Sequence, residues 1–276
     1  MGRLEGKVAF ITGGARGQGR SHAITMAEEG ADIITLDLCQ QVASVEYPMA
    51  TTEDLEETVR LVEKTGRRIV ARQADVRNFD AVAAVVREGV AEFGRIDFVL
   101  ANAGIMPITG PEGRERQAFY DAVEVMLTGV FHTCEAAIPT LIEQDEGGAI
   151  VITSSTAGLK GFGVNRQITS SGTLGYVAAK HGVVGLMRSY ANSLASYRIR
   201  CNTVHPTGVN SPMVVNEAFN RFIEENPEAT VGMINPLPVE LLDVSDVSKA
   251  IVFLCSEDGQ YITGVTLPVD GGICNK

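Results

Sequence analysis

Positive charge is scarce in this chain. Its 276 residues hold 23 Lys and Arg against 34 Asp and Glu, a net charge of −11. That balance argues against a nucleic-acid groove. It leaves a dinucleotide open, because local N–H groups and a helix dipole dominate at a phosphate. Cysteine is sparse as well. Cys39, Cys134, Cys201, Cys255 and Cys274 are scattered, odd in number and never in Cys-x-x-Cys spacing, so neither a disulfide framework nor a metal cluster follows. His22, His132, His181 and His205 lack metal-helix spacing. No stretch of about 18 apolar residues is expected to span a membrane. The start, Met1-Gly2-Arg3-Leu4-Glu5-Gly6, lacks the marks of a signal peptide. A cytoplasmic protein with reduced thiols is expected. Repeats, linkers and low-complexity tracts are absent too.

What is present is alternation. The length and a hydrophobic content of 45% fit one large α/β domain. Apolar runs predict strands over 8–12, 32–36, 69–73, 97–101, 149–153, 200–204 and 265–268. Helical patterns fill the gaps, notably 79–93, 116–142 and 176–196. The order implies a Rossmann-type, doubly wound, seven-stranded parallel sheet with helices on both faces. Three irregular segments interrupt it. Residues 38–52 carry Tyr47-Pro48, residues 156–175 are rich in Gly, Ser and Thr, and residues 210–242 hold four prolines. Long irregular segments in compact domains are usually functional or mobile. The last two directly follow strands and should flank the crevice at the strand carboxyl ends.

The first strand runs into Gly13-Gly14-Ala15-Arg16-Gly17-Gln18-Gly19-Arg20, and a helix follows. Glycine is needed where backbone turns tightly and approaches a pyrophosphate. The helix N-terminus offers free N–H groups and a positive dipole. Asp37, ending the second strand, would accept hydrogen bonds from the adenosine ribose and repel a 2′-phosphate. That favours NAD over NADP. Arg16 is the dissenting residue, since it could meet a phosphate.

Tyr176 and Lys180 are four apart and share one helix face. None of the other tyrosines has a lysine four residues on. An ammonium beside a phenol favours the phenolate, so the tyrosine pKa is expected to fall from about 10 towards a proton-transfer range.

Together these residues resemble the short-chain dehydrogenase/reductase family over nearly the whole length. Thr12-Gly13-Gly14-Ala15-Arg16-Gly17-Gln18-Gly19 is similar to its Thr-Gly-x-x-x-Gly-x-Gly loop, and Tyr176 and Lys180 match its Tyr-x-x-x-Lys. Asp75-Val76 resembles the pair that meets adenine, and Asn102-Ala103-Gly104 the turn that supports the central strand. Pro206-Thr207-Gly208-Val209 and Ser211 resemble the loop facing the nicotinamide. The resemblance further implies cofactor contacts from Leu38, Thr153, Tyr176 and Lys180. It makes Ser155, at the end of Ile-Val-Ile-Thr-Ser-Ser, the catalytic serine. Tyr176 would take the proton of an alcohol, Ser155 would orient its oxygen, and Lys180 would lower the tyrosine pKa and hold the nicotinamide ribose.

A narrower branch also fits. Arg16-Gly17-Gln18-Gly19-Arg20-Ser21-His22-Ala23 and Tyr47-Pro48-Met49-Ala50-Thr51 resemble the carveol-dehydrogenase-like, mycofactocin-associated members. The 38 residues from Asp37 to Asp75 exceed the family's usual spacing. This implies a flap over the adenosine end, a poorly exchangeable NAD and an external redox acceptor such as mycofactocin. Two departures stand out. Met126 occupies the place of the family's asparagine, and a thioether cannot donate the hydrogen bond an amide would. Ser155 and Tyr176 are also unusually far apart, with a second triplet, Thr169-Ser170-Ser171, between them.

Met106, Ile108, Met213, Val214, Phe219, Phe222, Met233 and Ile234 would line an apolar pocket, and Arg166 could meet an acidic group. The expected substrate is a hydrophobic secondary alcohol and its ketone, terpenoid or carveol-like. The stripe Val183, Val184, Leu186, Met187, Tyr190 and Leu194 is wide enough for the sheet and a partner helix, and the resemblance implies a homotetramer. Two other readings stay open here: a cofactor-binding sensor with decayed catalysis, and an epimerase or dehydratase on the same fold.

Overall fold

The computed structural model describes residues 2–275 apart from 163, 164, 166 and 167, so Arg166 lies outside the described residues. Seven parallel strands form one sheet in the order β3-β2-β1-β4-β5-β6-β7. They are β1 (Val8–Thr12), β2 (Asp32–Asp37), β3 (Ile69–Gln73), β4 (Phe98–Ala101), β5 (Gly148–Thr153), β6 (Ile199–Pro206) and β7 (Thr266–Val269). Every residue of β1 is buried. Alternate side chains serve opposite faces, with Val8 and Phe10 in one core cluster and Ala9 and Ile11 in the other. Both faces are covered, so the central strands β1 and β4 read as apolar runs.

On one face lie α1 (Gly17–Glu28) and α8 (Val244–Cys255), which pack on each other. On the other lie α3 (Phe79–Phe93), α5 (Gly129–Gln144) and α6 (Ser171–Ser193). The chain reverses its winding between β1 and β4. At that switch point the carboxyl ends of the strands open a crevice.

Two helices differ from their sequence patterns. The single helix expected over 116–142 is α4 (Arg116–Val123), a π turn (Glu124–Thr128) and then α5. This run is long and apolar enough to cross a membrane, but half of its most apolar window is buried inside the domain. Helix α6 starts five residues earlier than expected. Ser170 caps it by accepting a hydrogen bond from Thr173 N at 3.1 Å, and its hydroxyl reaches Ile108 O at 3.3 Å. The triplet at 169–171 therefore starts a helix. The stripe on α6 also turns mostly inward: Val183, Val184, Met187 and Leu194 are buried, and Leu186 and Tyr190 partly so.

Candidate active site

The glycine loop is a cradle that admits no larger residues. Gly13 and Gly17 have φ of +73° and +55°. A Cβ on Gly13 would lie 2.8 Å from the backbone of Ala103, and one on Gly19 would lie 1.9 Å from Gly13 O. Arg16 stands at the N-cap of α1 without a side-chain cap bond, so the N–H groups of the first turn have no such partner. Ala15 N donates to the Asp37 carboxylate at 3.0 Å, and Cys39 N donates to it at 3.3 Å. Burial pushes the Asp37 carboxyl up, and the N–H groups of Ala15, Cys39 and Leu38 pull it back down.

Around this loop Gly13, Arg16, Gly17, Gln18, Gly19, Asp37, Leu38, Asp75, Val76, Asn102, Ala103, Gly104 and Ser211 line one crevice. Segment 38–52 forms part of its wall through Val42, Tyr47, Met49 and Ala50. The segment is anchored along its middle, at Ser44, Tyr47 and Pro48. Arg16 donates to Pro48 O at 2.5 Å, the buried Tyr47 hydroxyl accepts from Met106 N at 3.2 Å, and Ser44 donates to Asp121 at 2.6 Å. Arg16 is thus engaged with segment 38–52. Segment 38–52 ends where Thr51 and Asp54 form a capping box that starts α2 (Thr52–Glu63).

A second cavity of about 590 Å³ adjoins the crevice. That is in the range that holds a small organic ligand, roughly 300–1,000 Å³. Ser155 and Tyr176 lie in its wall, with Pro206, Thr207, Gly208, Val209 and Ser211. Met106, Ile108, Met213, Val214, Phe219, Met233 and Ile234 supply apolar surface. Phe222 is absent from the wall and instead stacks on Phe219, with centroids 6.2 Å apart. Both rings sit on α7 (Glu217–Glu225).

Behind the wall, Lys180 is buried and donates to Thr153 O at 2.7 Å. Thr153 in turn donates to the Asn102 side chain at 3.2 Å, and the Asn102 amide donates to Thr12 O at 3.1 Å. One chain of hydrogen bonds therefore ties the lysine to the strand that carries the cradle. Ser155 follows β5 by two residues in extended conformation, and its hydroxyl accepts from Ala157 N at 3.2 Å.

Comparisons with known proteins bear on the family and the fold. A family model described as enoyl-(acyl carrier protein) reductase matches residues 13–274. The (−)-trans-carveol dehydrogenase of Rhodococcus erythropolis is 46% identical, with all of both chains covered. The crystal structure of carveol dehydrogenase from Mycobacterium avium in complex with NAD superposes with a TM-score of 0.92, at 43% identity and with all of both chains covered. The short-chain dehydrogenase from Mycobacterium paratuberculosis, bound to NAD, gives a TM-score of 0.91 at 40% identity, again over both whole chains.

The chain belongs to the short-chain dehydrogenase/reductase family. It is an oxidoreductase of that family, and its chemistry depends on how the site sets its proton affinities.

Here the fold corrects one expectation about this short-chain dehydrogenase. Burial raises the Tyr176 phenol above its ordinary value, and a hydrogen bond with Ser155 draws it partly back. Burial also lowers the Lys180 ammonium, to about 8. The lysine sits 5.7 Å from the centroid of the tyrosine ring, and its nitrogen is turned to the Thr153 carbonyl. Spacing along the helix gave the neighbours correctly, but desolvation of both groups sets the direction of each shift.

Met126 is fully buried within the π turn, and a Cβ on Gly104 would lie 3.6 Å from its sulfur. It packs as core.

His205 went unnoticed in the sequence beyond its lack of metal spacing. It is fully buried, and its Nδ1 donates to Ser155 O at 2.7 Å while Nε2 accepts from the Thr203 hydroxyl at 2.8 Å. Burial lowers it to about 4, so the ring is neutral and fixed in that tautomer. It holds the backbone of Ser155. Phe162, Leu237 and the C-terminal Ile273 also enter the cavity wall unannounced, because contact between distant segments leaves no local pattern.

Proposed function

We propose that the chain interconverts a hydrophobic secondary alcohol and its ketone, terpenoid or carveol-like, with Tyr176 as general acid/base. The observation that carries this reading is the junction of two spaces: Tyr176 and Ser155 open onto a mostly apolar cavity that shares wall residues with the dinucleotide crevice. The cofactor is NAD. The glycine cradle, the uncapped helix start and the acid at the end of β2 fit it, and carveol dehydrogenase relatives support both cofactor and substrate class. When bound, NAD supplies the two-electron acceptor for the carbinol carbon.

Gly13, Gly17 and Gly19 would hold its phosphates and Asp37 its adenosine ribose. Tyr176 removes the hydroxyl proton in the oxidative direction and returns it in the reductive one. Ser155 donates to the substrate oxygen and orients it, with its backbone held by His205. Lys180, protonated below about pH 8, supports the phenolate as it forms. A positioned proton-transfer group of this kind contributes roughly 10²–10⁴ in rate. Segment 38–52 is the cover that slows NAD exchange, residues 210–242 form the substrate lid, and electrons leave to an external acceptor such as mycofactocin. The whole chain acts as one NAD-binding domain.

The test is a panel of cyclic terpenoid and short polar secondary alcohols, with ketone measured by gas chromatography and cofactor reduction by its near-ultraviolet absorbance. Ketone formation from the cyclic apolar alcohols is expected. No ketone from any secondary alcohol would overturn the reading.

A further inference from the structure

Gln18 stands at the seam of the site. It lines both the dinucleotide crevice and the substrate cavity, a position it shares only with Ser211 and Met213 among the wall residues. Its side-chain oxygen is buried and has no hydrogen-bond partner. A buried amide oxygen without a donor costs roughly 1–3 kcal/mol, so such an atom marks a place where a donor belongs.

The donor's source follows from position. Gln18 sits between Gly17 and Gly19 in the first turn of α1, where the glycine cradle would hold the dinucleotide. The substrate's reacting oxygen is already served by Ser155 and Tyr176, which line the same cavity. The part of the dinucleotide that must span the seam is the end bearing the reacting ring, and that ring carries a carboxamide with an N–H donor. We propose that Gln18 is a specificity-determining residue whose carboxamide oxygen accepts a hydrogen bond from the nicotinamide carboxamide, fixing the rotation of the ring and hence the face it presents to the substrate cavity. This rests on the assignment of NAD as cofactor.

The experiment compares binding of NAD with binding of 3-acetylpyridine adenine dinucleotide, in which a methyl group replaces the amide nitrogen. Affinities are read by competition in native mass spectrometry, so no turnover is needed. Wild type is expected to prefer NAD, and in Gln18→Leu that preference should shrink about tenfold, the ratio that one lost hydrogen bond of about 1.4 kcal/mol gives. Gln18→Glu keeps an acceptor at the same place and should keep the preference even where overall affinity falls. An unchanged preference in a folded Gln18→Leu, or a preference lost equally in both variants, would overturn the proposal. Failure of wild type to bind either dinucleotide would overturn the cofactor assignment instead.

Discussion

At the scale of single residues, burial decides the charges more than sequence spacing does. Lys180 is held near 8 and Tyr176 is raised, both because the fold strips water from them. Two histidines show the same effect in a form that can be measured. His22 is held at about 3 and His205 at about 4 by burial, against an ordinary 6.5. The unfolded chain takes up their protons as pH falls below about 6.5, and the folded chain does not. Their contribution to stability is therefore complete above that value. It is lost as pH falls, by up to about 1.4 kcal/mol per pH unit for each ring, until the folded-state values are passed. Urea unfolding between pH 7 and 5 should show this decline, and His205→Gln should make it shallower. Stability that stays level across that range would contradict the neutral, buried assignment.

At the scale of elements, the cover over 38–52 provides the clearest expectation. Tyr47→Phe removes the oxygen that accepts from Met106 N and leaves that N–H without its partner, at a cost of roughly 1–3 kcal/mol. NAD should then leave about tenfold faster or more, followed by native mass spectrometry after dilution. Retention equal to wild type would show that the cover does not hold the cofactor. Elements also differ in how legible they are in sequence. The central strands were readable because they are buried apolar runs, and β1 and the less buried β3 both fall where the pattern puts them. The glycine cradle was readable for the same kind of reason, since positive φ and close backbone approach demand one residue type. The π turn at Glu124–Thr128 was not, because a shift of backbone hydrogen bonds leaves no mark in hydrophobic spacing. The early start of α6 was hidden by the Thr169-Ser170-Ser171 triplet, which resembled loop composition and supplies the cap of a helix. His205 was hidden because its partners are a backbone carbonyl 50 residues away and a hydroxyl on its own strand.

At the scale of the whole molecule, the two cavities and the sheet's switch point make one working centre from segments spread over most of the chain. Assembly belongs to this scale as well. The buried stripe on α6 leaves Leu186 and Tyr190 only partly covered, and Phe131 on α5 is 43% exposed. A homotetramer joined across these helices should scatter light as four times the 29.4 kDa chain, whereas a monomer would rule it out. The central claim, that the buried Tyr176 phenol exchanges the substrate's proton beside bound NAD, is tested most directly by the single-turnover rate of alcohol oxidation in Tyr176→Phe, with NAD content measured in the same sample. A loss of at least 10²-fold with NAD content unchanged is expected. A rate near that of wild type, with the cofactor in place, would contradict it.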